Sequence, residues 1–153
     1  MKLDAIDKKL LMLLQEDSKQ THKELSSKMD LSVTAVYERI KKLEREKIIK
    51  GYVAILDPAK ISRSFVVFCH IKLVQHTREC VTTFEKEVVK LDEVLECFHV
   101  SGDYDYILKV NVADMEAYRE FMVSKLTNLK FIGSTHSSFV IGSVKNTTLF
   151  QID

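Results

Sequence analysis

Glycine is scarce in this chain: four residues in 153, beside a single proline and three cysteines. Four glycines leave no Gly-rich loop to cradle a phosphate, and no GxSxG elbow occurs. A nucleophile paired with a base is also missing from the motifs, so the common enzyme scaffolds are without support. Cys69, Cys80 and Cys97 are odd in number and show no CxxC spacing. That argues against a disulfide framework or a zinc site. Cys69 and Cys97 fall in apolar, strand-like runs and read as inert core residues. No apolar run reaches the roughly 18 residues of a membrane span. The N-terminus opens on charges and amphipathic periodicity instead of a secretory signal. The expectation is a reduced, cytoplasmic protein with no membrane association and no cofactor.

The hydrophobic share of 46% and charged share of 29% are ordinary for a globular chain of one or two small domains. Net charge is only +1, but it is unevenly placed. Residues 1–60 hold 13 basic and 10 acidic side chains, and residues 61–153 hold 10 and 12. The sign changes near Pro58. A basic head joined to a mildly acidic partner domain fits this distribution.

Residues 21–48 read as two short helices around a tight turn. Thr21 and Glu24 have capping-box spacing. Leu25 and Met29 share a face. Asp30 stands at the turn, where it tolerates the left-handed region. Ser32 is a good N-cap for the next helix. Val36, Ile40 and Leu43 recur as its buried stripe. Its other faces carry Thr34, Tyr37, Glu38, Arg39, Lys41, Lys42 and Arg45. An earlier segment, capped by Asp4, sets Ile6, Leu10, Leu13 and Leu14 in a stripe. Three helices of this kind form the smallest core that holds a recognition helix in a DNA major groove. Charges on a helix face are also compatible with a solvated surface helix. Two features favour DNA: small side chains at the helix start, and an earlier helix to support it.

After a head spanning 1–50, residues 51–61 read as a hinge. Tyr52 to Leu56 is expected as an extended strand broken by Asp57-Pro58. Residues 62–153 alternate between the two periods. Val67, Cys69, Ile71 and Leu73 mark a half-buried strand. Thr77 caps a helix carrying Val81, Phe84, Val88 and Leu91. Val94 to Val100 is a second strand, and Tyr106 to Val112 a third. Asp114 caps a helix carrying Met115, Tyr118, Met122, Leu126 and Leu129. Ile132 to Gly142 is a fourth strand, with a short extension near Thr147 to Phe150. The order βαββαβ predicts an α+β, ferredoxin-like domain. Both helices cover one sheet face, so the other face needs a partner, most simply a second subunit.

Several short motifs now fall in register: Leu3-Asp4 with Ile6-Asp7, Glu24-Leu25, Leu31-Ser32 and Val36-x-x-Arg39-Ile40-x-x-Leu43-Glu44. They continue with Ile49-x-Gly51-Tyr52, Gly102-Asp103-Tyr104-Asp105-Tyr106 and Thr135-x-Ser137. Each is weak alone. In this order and spacing the chain resembles the Lrp/AsnC family, the leucine-responsive or feast/famine transcriptional regulators. The resemblance covers essentially the whole chain. It implies a winged-type helix-turn-helix head, a hinge strand and a ferredoxin-like domain. It also implies a homodimer, often assembled to an octamer, and a small effector, commonly an amino acid. The chain departs from the pattern at Lys47, where many relatives have Gly after the third helix. Helix three is therefore expected to end without the usual left-handed glycine. Ser26 and Asp30 replace the more usual Ala and Gly.

For double-stranded DNA the candidate contacts are Ser32, Thr34, Ala35, Tyr37, Glu38, Arg39, Lys41 and Lys42. Ser32, Thr34, Ala35 and Glu38 sit where base edges are read. Arg39 matches the family arginine and is the first candidate for a phosphate. Tyr37 either stacks on the core of the head or reaches a phosphate. For the effector the candidates are Gly102, Asp103, Tyr104 and Asp105, facing Thr135 and Ser137 of a neighbouring subunit. An acid of the turn would meet the α-ammonium, and turn amides and the hydroxyls would take the carboxylate. Either Asp103 or Asp105 could carry this role, and Asp105 has the alternative of anchoring the third strand. The same turn also reads as a plain β-turn in which Gly and Asp serve geometry. His70, His99 and His136 fall on different strands without paired carboxylates, so no metal is expected. The reading is a ligand-responsive, sequence-specific regulator and not an enzyme. The alternatives are a nucleoid-type protein that wraps DNA and, with less support, an enzyme on a dimeric ferredoxin-like barrel.

Overall fold

A computed structural model of the chain describes residues 2–152. Met1 and Asp153, the outer ends of the two expected domains, lie outside them. The elements run α1 (Ala5–Glu16), α2 (His22–Met29), α3 (Val33–Arg45), β1 (Phe65–Leu73) and α4 (Arg78–Val88). They continue with β2 (Val94–His99), β3 (Tyr106–Val112), α5 (Met115–Ser124), a 3-10 turn (Leu126–Asn128) and β4 (Ile132–Phe139). The chain divides into two compact units. The head runs to Ile55 and takes in the tail from Val144, and the second unit is Leu56–Ser143.

In the head, each helix begins where a short side chain satisfies the free amides of its first turn. Asp4 and Asp7 form a capping box on α1, with the Asp7 amide donating to Asp4 Oδ1 at 2.7 Å. Thr21 and Glu24 form one on α2, the Thr21 amide donating to Glu24 Oε2 at 2.7 Å. The core of the head is Leu10, Leu11, Leu14, Leu25, Met29, Val36, Ile40 and Leu43. Asp30 closes α2 in the left-handed region, at φ 54° and ψ 48°. Ser26 holds the turn that follows, its hydroxyl donating to the Leu31 carbonyl at 2.8 Å. Lys47 stands at the end of α3, where the usual glycine is missing. It takes the left-handed conformation itself, at φ 56°. The Ile48 amide can then turn back to the Leu43 carbonyl at 3.0 Å, in the manner of a glycine-capped helix end.

The second unit is a four-stranded antiparallel sheet of order β2-β3-β1-β4. Strand alternation sends Val67, Cys69, Ile71 and Leu73 of β1 to the helix side with Leu108 and Val110 of β3. There they meet Phe84 and Val88 of α4 and Tyr118 and Phe121 of α5 in one core. Thr77 caps α4 and Asp114 caps α5, as their positions predict. Met115 is exposed and takes no part in that core. The opposite face has no helix. It carries Phe68 and His70 of β1, Phe98 of β2, Ile107 and Lys109 of β3, and His136 of β4. Phe98 remains 49% exposed.

Several features differ from the sequence reading. α5 ends at Ser124, so Leu126 lies on the 3-10 turn and Leu129 just beyond it. Tyr52 to Leu56 is not a strand, because no neighbouring strand supplies its ladder. The described residues of the head likewise hold no β-hairpin wing. β4 stops at Phe139, and residues 147–150 form no strand. The tail instead joins the head. The Gln15 side chain pairs with the Phe150 backbone at both ends, donating to its carbonyl at 3.0 Å and accepting from its amide at 2.7 Å. Ile152 packs on the helical core.

Candidate functional site

Helix α3 has two unlike faces. Val36, Ile40 and Leu43 are buried. On the opposite side Thr34, Glu38, Lys41 and Arg45 follow one another at helical spacing, all exposed. Ser32 caps the helix by accepting from the Ala35 amide at 3.1 Å. Thr34 is therefore presented on the first turn, while Ala35 is half-buried beside it. Lys42 flanks the outer stripe and Arg45 extends it, 73% exposed and only loosely paired with Glu46 at 4.0 Å. Arg45 was visible in the sequence as a residue of the polar face, but nothing local ranked it above its neighbours. Lys41 is tied to Glu44 at 2.9 Å. Tyr37 meets the ring of His22 edge-on at 5.5 Å, with Lys41 Nζ 5.8 Å from its own ring centre. It therefore packs on the head.

Arg39, the first candidate for a phosphate, is paired within the head. Its Nη1 donates to Asp7 Oδ1 at 2.6 Å and to Asp4 Oδ2 at 2.8 Å. Both acids lie in or next to the first turn of α1, so the guanidinium ties α3 to α1. The bonds to Asp4 and then Asp7 raise the guanidinium pKa above its ordinary value. The Asp7 amide and then Arg39 hold the Asp4 carboxyl below its ordinary range.

The turn between β2 and β3 is the second candidate. Gly102 has φ 121°, a conformation that glycine adopts and other residues resist. Asp103 is exposed. Asp105 is fixed on all sides. Its amide donates to the Ile71 carbonyl at 2.8 Å, and its Oδ2 accepts from the Leu73 amide at 2.7 Å. Its Oδ1 lies 2.6 Å from His76 Nε2. Burial pushes the Asp105 carboxyl up, but the Leu73 amide and His76 outweigh it and leave it below the ordinary range. Asp105 thus links the start of β3 to β1, and one of its carboxylate oxygens faces His76, a residue that sequence reasoning did not single out. Tyr104 turns toward the open sheet face, 5.0 Å from the His70 ring and 6.1 Å from that of His136.

Within one chain, Thr135 and Ser137 are not brought to this turn. They lie on β4, beyond β1 from β3, opposite Ile71 and Cys69. The Ser137 hydroxyl shares a 2.6 Å hydrogen bond with that of Tyr118. The three histidines also divide. His70 and His136 are cross-strand neighbours on the open face. His99 stacks on Tyr106 on the helix side. Among the described residues no group of His, Cys, Asp and Glu is arranged to hold a metal ion.

Comparison with known proteins decides the family. Residues 3–44 match the AsnC-type helix-turn-helix domain, and residues 66–150 match the Lrp/AsnC ligand binding domain. The chain belongs to the Lrp/AsnC family. Among similar proteins is the leucine-responsive regulatory protein of Escherichia coli K12. It is 39% identical over 150 residues, covering 98% of this chain and 92% of that one. An AsnC family transcriptional regulator from Agrobacterium tumefaciens superposes with a TM-score of 0.92 at 36% identity, covering 97% and 96% of the two chains. A transcriptional regulator from Neisseria meningitidis, solved as an L-Met complex, superposes with a TM-score of 0.91 at 33% identity, covering 96% and 95%. This Lrp/AsnC chain is accordingly a DNA-binding transcriptional regulator with the α+β architecture expected from its periodicities. Among its described residues no helix is long and apolar enough to cross a membrane.

Proposed function

We propose that this Lrp/AsnC regulator reads double-stranded DNA through the outer stripe of α3 and answers to an amino acid at the β2–β3 turn. The stripe carries the first part. One helix buries three apolar residues and presents Ser32, Thr34, Ala35 and Glu38 at its start, with Lys41, Lys42 and Arg45 beyond. Small and hydrogen-bonding side chains at a helix start can reach base edges, and the cations further along can meet phosphates. Arg39 serves as the residue that sets α3 on α1. The test is a gel shift with DNA from upstream of the protein's own gene. Thr34→Ala is expected to change the preferred sequence, and Lys42→Ala to weaken binding to all sequences. A Thr34→Ala protein with unchanged preference would count against this placement of α3.

The effector reading rests on the turn Gly102–Asp105. It offers two acids, a glycine-shaped backbone and the half-buried Tyr104. An amine facing Asp103 or Asp105 and a carboxylate taken by turn amides fit this chemistry. Thr135 and Ser137 would have to come from another subunit. The L-Met complex of the Neisseria relative favours an amino acid. Calorimetry with each amino acid tests this, and the absence of any binding at millimolar concentration would overturn it.

The bare sheet face supports a homodimer as the working unit. Phe68, Phe98 and Ile107 there are apolar and uncovered by any helix. Further assembly of dimers, up to an octamer, would bring turns of different subunits together. The regulator would act in the cytoplasm, where its DNA lies.

A further inference from the structure

The Asp105 carboxylate already has a side-chain partner in place. His76 Nε2 is 2.6 Å from Oδ1, while Oδ2 is held by the Leu73 amide. The two partners differ in exposure. The Asp105 side chain is 15% exposed, whereas that of His76 is 66% exposed, one residue before the cap of α4. The imidazole can therefore swing into solvent without disturbing the core, and the carboxylate cannot. An α-ammonium arriving at Asp105 would need the oxygen that His76 occupies.

We propose that His76 is a built-in, proton-dependent competitor for the effector amine at Asp105, so that the site opens as pH rises through the imidazole range. The inference rests on the effector reading given above. When protonated, His76 offers Asp105 the same charge as the ligand. When neutral, it loses the charge that holds it there. An imidazole ordinarily changes charge between pH 5 and 8. The α-ammonium of a free amino acid stays charged across that interval.

Other charged groups lie near the pair along the chain. Lys72 of β1 acts on Asp105, and Asp103 lies two residues before it in the turn. Arg78 and Glu79 follow His76 in α4. Tyr106, next to Asp105, donates its hydroxyl to Glu85 at 2.8 Å. Burial, and then that bond, push its pKa up, so it stays neutral over the same interval. Three further imidazoles lie around the turn: His70 and His136 beside Tyr104 on the open sheet face, and His99 on the helix side. His99 stacks on Tyr106 and stands 4.0 Å from Glu85. It provides the control.

The experiment is calorimetry of the full chain with each amino acid, at millimolar concentration, at pH 6 and pH 8. It uses wild type, His76→Gln and His99→Gln. Wild type and His99→Gln are expected to bind roughly fivefold more weakly at pH 6 than at pH 8, the scale of one partly exposed ion pair. His76→Gln is expected to bind equally at both pH values and at least as tightly as wild type at pH 8. Binding by wild type that is flat with pH overturns the competitor and leaves the effector reading standing. A pH dependence that survives in His76→Gln does the same. Failure of wild type and His76→Gln to bind any amino acid at either pH overturns both.

Discussion

Arg39 Nη1 stands 2.6 Å from Asp7 Oδ1, and Asp7 is the one buried charged side chain among the described residues, 1% exposed. Removing the guanidinium would leave that carboxylate in the core with only its own capping bond. The Arg39 side chain is itself 27% exposed, so the loss is expected below that of a fully buried pair. Arg39→Ala should destabilise the head by about 1–3 kcal/mol. Urea unfolding of wild type, Arg39→Ala, Asp7→Asn and the double variant checks this. Strong non-additivity is expected, because the two residues share one interaction.

Lys47 holds a left-handed backbone at φ 56° without the freedom of glycine. The strain of an L-residue there is about 1 kcal/mol. Lys47→Gly should therefore raise the unfolding midpoint of the head, offset in part by the greater entropy of glycine in the unfolded chain. Lys47→Val should lower it. A lower midpoint for the glycine variant would show that the Lys47 side chain contributes more than its backbone loses.

The capping carboxylates make the head sensitive to acid. Asp4 is held below its ordinary pKa by the Asp7 amide and then Arg39, and Glu24 by the Thr21 amide and then its hydroxyl. Both have folded-state values lowered relative to the unfolded chain. Their contribution is present above the unfolded value and is lost as pH falls through the folded one. Thermal stability should hold from neutral pH to about pH 5 and decline below about pH 4. Asp4→Asn should be less stable than wild type at pH 7, and the difference should narrow toward pH 3. A constant difference across that range would contradict this origin.

Burial pushes the Cys69 thiol up, outweighing its hydrogen bonds with Tyr118 and Ser137. It should react with iodoacetamide at pH 7.5 only as fast as the second unit opens. Mass spectrometry of the labelled peptide under native and denaturing conditions measures this, and rapid native labelling would contradict the burial.

Much of this was legible because it is local. Thr21 with Glu24, Asp30, Ser32, Thr77 and Asp114 announce helix ends within a few residues of the groups they cap. The alternation at Val67 to Leu73 and Tyr106 to Val112 similarly fixes which side chains face the helices. Long-range pairing was not legible. Arg39 reads as a free cation because Asp4 and Asp7 lie more than thirty residues away in sequence. His76 sits in a short loop with nothing nearby to mark Asp105 as its partner. Tyr52 to Leu56 has a strand pattern, but a strand also needs a neighbour. The tail after Val144 lacks a period, so its return to Gln15 left no trace in the sequence.

The central claim is that DNA is met by the outer stripe of α3, with Arg39 holding that helix from behind. Its most direct test is the salt dependence of DNA affinity for wild type, Lys42→Ala, Arg45→Ala and Arg39→Ala, at a temperature where all four are folded. The slope of log affinity against log salt should fall by about one unit for each phosphate contact removed. The account predicts that fall for Lys42→Ala and Arg45→Ala and an unchanged slope for Arg39→Ala. A reduced slope for Arg39→Ala, with Lys42→Ala and Arg45→Ala matching wild type, would contradict it.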